Sequence, residues 1–101
     1  MRDAGRLVAE PWPWPAKATG NRFVLPLNQP LLSEGLELTY RGMMESGGFR
    51  LDMVIQRLDS SVAYPLDLVV TEARQGFTLA DRRFTLEHIT SRYLRLRATN
   101  Q

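Results

Sequence analysis

The chain has 101 residues, enough for one hydrophobic core and too few for two. Its apolar share of 44% and charged share of 24% are those of a soluble globular domain, and no apolar run approaches the ~20 residues that cross a bilayer. The absence of cysteine excludes disulfides, thiolate nucleophiles and Cys-built zinc sites, and a single histidine without cysteine argues against another transition-metal site.

The net charge of +2 is unevenly spread. Residues 1–73 carry seven basic and nine acidic groups, whereas residues 74–101 carry six arginines against Asp81 and Glu87. Twelve of the 13 basic residues are arginine, the side chain suited to planar partners and aromatic faces.

The opening stretch "MRDAGRLVAE" has no apolar segment of signal-peptide length, so an intact chain is expected in the cytoplasm. A domain trimmed from a longer protein would fit an extracytoplasmic place equally well. Residues 1–9 have little to pack with and read as a flexible tail or linker remnant, leaving 10–101 as a single domain. The run Pro11-Trp12-Pro13-Trp14-Pro15 follows. Residues that precede proline are pushed from helix, so the run is a stiff extended rod of roughly 15 Å. Its prolines cannot donate on one side, while both indoles fall on one face. The expectation is an edge strap that covers the sheet, with an exposed ligand for a polyproline-reading groove as its rival.

"NRFVLPL" (21–27) reads as a strand whose Pro26 suits a sheet edge, and "NQPLLSEG" (28–35) as an irregular connector. From Gly35 the apolar period is two. Leu36, Leu38 and Tyr40 share one face, as do Phe49, Leu51, Met53 and Ile55. A four-residue loop at 45–48 sets Met44 against Phe49, Arg41 against Asp52, Tyr40 against Met53 and Leu38 against Ile55. Residues 64–72 form a strand entered through Pro65, with a turn at Gly76. A second hairpin turns at Asp81-Arg82, pairing Leu79 with Phe84 and Phe77 with Leu86. A third turns at Thr90-Ser91-Arg92, pairing Ile89 with Tyr93, His88 with Leu94 and Glu87 with Arg95. A competing reading makes 79–97 an amphipathic helix.

About seven strands with regular turn signals predict an all-β antiparallel sandwich, resembling immunoglobulin-type folds in architecture only. The alternatives are a small β-barrel and an α+β fold with a C-terminal helix. Such folds host unrelated functions, and no motif here specifies a reaction. His88 shares the parity of Phe84 and Leu86, so it is expected to be partly buried, with Glu87 on the opposite face. The carboxylates are scattered and the glycines form no phosphate loop, so no catalytic, cofactor or metal residue is assigned.

The expected function is a non-catalytic protein-interaction or structural module, one domain of a larger assembly, with Trp12, Trp14, Met43 and Met44 as contact candidates. The alternative is a nucleic-acid or polyanion binder using Arg82, Arg83, Arg92, Tyr93, Arg95 and Arg97.

Overall fold

The computed structural model describes residues 16–99. The segment with Trp12 and Trp14, and the proposed tail before it, lie outside the described residues. Among the described residues, nine strands form two antiparallel sheets. In chain order they are β1 (Lys17–Thr19), β2 (Arg22–Pro26), β3 (Leu31–Ser33), β4 (Leu36–Met43), β5 (Gly48–Ile55), β6 (Tyr64–Val69), β7 (Phe77–Leu79), β8 (Arg82–Ile89) and β9 (Tyr93–Thr99). Two short helices, α1 (Gln56–Asp59) and α2 (Val70–Gln75), flank β6. One sheet has the order β1-β2-β9-β8-β7 and the other β3-β4-β5-β6. The architecture is an all-β sandwich, and the helical reading of 79–97 is excluded by β8 and β9.

Alternation of side chains builds the core between the sheets. Leu36, Leu38, Tyr40, Phe49 and Leu51 from one sheet meet Phe23, Leu25, Phe84, Leu86, Leu94 and Leu96 from the other, all buried. Phe23 meets Phe84 edge-on with ring centroids 5.5 Å apart, and Phe77 stacks on Phe84 at 5.9 Å. Each large side chain buried this way contributes about 1.5–3 kcal/mol.

Apart from His88 the faces follow the sequence; the Leu86–Leu96 pairing does too, but most of the expected registers do not. In the β4–β5 hairpin Met44 N–H donates to Gly48 C=O, and Gly47 takes φ 97°, so the loop has one residue fewer than expected. A bulge between Tyr40 and Gly42 adds a second offset, and Tyr40 pairs with Leu51 rather than Met53. The two offsets sum to an even shift, which returns every apolar residue to its expected face. Arg41 still meets Asp52, Nε to Oδ2 at 3.1 Å, although Thr39 is its register partner.

The β7–β8 hairpin turns at Ala80-Asp81, not Asp81-Arg82. Both turn residues have positive φ, 49° and 68°, and Phe77 pairs with Phe84. The shift is again even. In the third hairpin a bulge between Leu86 and His88 pairs His88 with Arg95 and Ile89 with Leu94.

Several elements depart from expectation, among them β1 and the short helix α1, neither of which was expected. The connector 28–35 contains β3, which pairs with β4. The strand expected over 64–72 stops at Val69, and α2 carries the chain to the second sheet. Val70 and Ala73 turn to the core, Glu72 and Arg74 suit the helix dipole, and Gly76 N–H caps the end on Glu72 and Ala73 carbonyls. β2 is not an edge strand, because β1 pairs with its first half; among the described residues Pro26 lies beyond β1 and pairs with β9 alone.

Candidate functional site

β9 projects Leu94 and Leu96 inward and Tyr93, Arg95 and Arg97 outward. Its central place in the five-stranded sheet brings neighbours from both sides. One cross-strand row runs Lys17, Val24, Arg95, His88, and the next runs Thr19, Arg22, Arg97, Thr85. Residues paired across antiparallel strands share a face. The result is a cationic surface of Lys17, Arg22, Arg95 and Arg97, in which Arg22 and Lys17 come from a segment some 70 residues distant in sequence from β9.

Glu87 lies at its centre. Its Oε1 is 3.1 Å from Arg22 Nε and 3.3 Å from Arg95 Nε, and its Oε2 is 2.9 Å from Arg97 Nε. The arginines cover it, leaving 11% of its side chain exposed. Arg22 Nε donates a hydrogen bond to Oε1, whereas Arg95 Nε is near the carboxylate without hydrogen-bond alignment, a purely Coulombic contact. Arg74 of α2 also reaches the Glu87 carbonyl, 3.5 Å from its Nη1. One carboxylate thus gathers three guanidiniums and leaves a surplus of positive charge.

The bulge that places Glu87 also turns His88 outward. His88 is exposed, not partly buried, and lies on the Glu87 face rather than the opposite one. An extra residue in the strand cancels the alternation at that point. The His88 ring packs on Tyr93 with centroids 5.5 Å apart and planes tilted by 40°.

The six predicted polyanion residues therefore divide. Tyr93, Arg95 and Arg97 belong to this face, with Arg83 one row further along it, beside Thr99. Arg92 sits exposed at the β8–β9 turn. Arg82 belongs elsewhere: its guanidinium lies 5.4 Å from both the Phe23 and Phe84 ring centroids, and its Nη1 donates to Ser33 C=O at 2.8 Å. That contact ties the two sheets at one end. It forms part of a cleft of about 670 Å³ in which Glu34 and Asp81 offset Arg82 and Arg83.

The other sheet presents neutral charge pairs. Arg50 forks onto Asp67, Nε to Oδ1 at 2.7 Å and Nη2 to Oδ2 at 3.1 Å. The hydrogen bonds from Arg50 hold the Asp67 carboxyl below the ordinary carboxylate range. Beside this pair, Met43 is 47% exposed and Met44 half-buried. Met44 separates two hollows: one of about 340 Å³ shared with Met43, Arg41 and Arg50, the other of about 220 Å³ shared with Gly48, Leu68 and Val69.

Among the described residues no three His, Asp or Glu side chains gather as metal ligands, and no helix is long and apolar enough to cross a membrane. Comparison with protein-family models, with curated proteins and with solved structures finds no match to this chain.

Proposed function

We propose that this chain is a non-catalytic protein-interaction module of immunoglobulin-type architecture, acting within a larger assembly through the hairpin end of its four-stranded sheet. The observation that carries this reading is the pairing of a soft apolar knob with two adjoining hollows. Met43 projects from the β4 end, and Met44 stands between depressions floored by β5 and β6. Methionine adapts its shape to a partner at little cost. The Arg41–Asp52 and Arg50–Asp67 pairs supply a polar rim whose charge is balanced. Such a surface fits a protein segment that inserts one or two apolar side chains. Trp12 and Trp14 are the second pair of contact candidates in this proposal.

A photo-crosslinking amino acid substituted for Met43 in the full chain tests it. The expected result is a discrete protein adduct in cells, lost when the crosslinker replaces Leu32, which is more exposed than Met43 but lies on β3. The reading fails if position 43 yields no adduct, or if both positions capture the same proteins.

A further inference from the structure

We infer that the outer face of the five-stranded sheet is a binding surface for single-stranded nucleic acid. It joins a local cationic surplus to an aromatic pair, on an open sheet rather than in a groove. Lys17, Arg22, Arg95 and Arg97 come from three adjacent strands, and the carboxylate among them is Glu87. Charge alone would attract any polyanion. Two further features narrow the class.

The first is order. Glu87 meets each of the three arginines through Nε, so their long side chains are drawn across the sheet. A guanidinium positioned in advance loses less conformational freedom when it takes up a phosphate. Glu87 is in this sense a positioning residue, not a contact.

The second is the ring pair. His88 and Tyr93 pack together at the end of the face beside Arg95. Along β9 the residues Tyr93, Arg95 and Arg97 recur on one side at intervals of about 7 Å. A ring followed by two guanidiniums suits an unpaired base stacked at one end with its backbone running over the arginines. A duplex hides its base faces, and reading its major groove takes a helix or a two-stranded ribbon that enters it; this broad sheet face offers neither. Sulfated polysaccharides and anionic lipids have no base to stack.

The test is fluorescence anisotropy of the full chain with a labelled oligonucleotide of roughly 12 unpaired nucleotides, across a salt series. The expected result is binding that weakens with salt. Replacement by Arg22→Gln with Arg97→Gln weakens it about tenfold or more and lowers the salt slope by about 1–2. Tyr93→Leu weakens it about tenfold with the slope unchanged, because stacking releases no counterions. Arg57→Gln, on the exposed helix α1 that follows β5 of the other sheet, leaves binding as it was. Should the double variant lose its circular-dichroism signature, Lys17→Gln on the exposed strand β1 replaces it, with a slope lower by about 0.7. The inference is overturned by absence of binding at low salt, by affinity unchanged in the arginine or lysine variant, or by a Tyr93→Leu variant that binds like the parent. It is equally overturned if duplex, heparin or anionic vesicles compete as well as the single strand.

Discussion

The hydroxyl of Tyr40 donates a hydrogen bond to the backbone carbonyl of Thr90 at 2.7 Å, joining the four-stranded sheet to the β8–β9 turn of the other. Tyr40 is wholly buried, and the opposite end of β8 is tied by Arg82 to Ser33. The two sheets are thus latched at both ends of one strand, with apolar packing between.

Tyr40→Phe removes the first latch and leaves the Thr90 carbonyl without that donor. The expected loss is about 1–2 kcal/mol, read as a midpoint shift in urea denaturation. The parent has a pH dependence that the variant lacks. Burial raises the Tyr40 pKa from 10.0 to about 12, so the folded state resists ionisation that the unfolded state accepts. The tyrosine's contribution is therefore whole below about pH 10 and is lost as pH rises towards 12. Unchanged relative stability of parent and Phe variant between neutral pH and about pH 11 would contradict this.

Arg82→Lys keeps the charge but not the plane that lies over Phe23 and Phe84. A lysine ammonium stacks less well on two rings while also serving the Ser33 carbonyl. The substitution is expected to cost about 1 kcal/mol, lowering the melting temperature by about 4–8 °C. Arg83→Lys, on the exposed face one residue away, is expected to change it by no more than about 0.5 kcal/mol.

Glu87→Gln leaves Arg22, Arg95 and Arg97 repelling one another around a neutral amide. The guanidiniums are half exposed, so solvent weakens the effect. The expected destabilisation is about 1–2 kcal/mol at low salt, shrinking as ionic strength rises. A loss independent of salt would mean that packing, not charge, holds this cluster.

The turn at Ala80-Asp81 stores strain that can be relieved. Left-handed backbone costs an alanine about 1 kcal/mol, and the same two-residue turn is most often built from Asn-Gly. The double substitution Ala80→Asn with Asp81→Gly is expected to raise the melting temperature by several degrees, about 1 kcal/mol. A lower melting temperature would show that Ala80 contributes more through its packing on the core than its backbone costs.

The alternation of apolar and polar residues determined, by itself, which side chains of β4, β5, β8 and β9 are buried. That property survives errors of register where the shift is even, as in the β4–β5 and β7–β8 hairpins, because an even shift returns each residue to its face; the turn end of β8–β9 was off by one. A bulge inserts one residue and breaks the rule locally, and the one at Glu87 reversed the expected exposure of His88. Bulges and left-handed turns leave little trace in composition: Ala80-Asp81 looks unlike a turn dipeptide, and β1 and β3 are three residues each, too short to show a period. The helix over 70–75 was legible in Glu72-Ala73-Arg74-Gln75 before Gly76, but was masked by the valines that end β6. The cationic face was half visible, in Tyr93, Arg95 and Arg97. Its other half depended on β2 lying beside β9, and no local pattern reports a pairing between segments so far apart. Only packing two sheets around one core decides which strands become neighbours. That decision brought Arg22 to Glu87 and took Arg82 away.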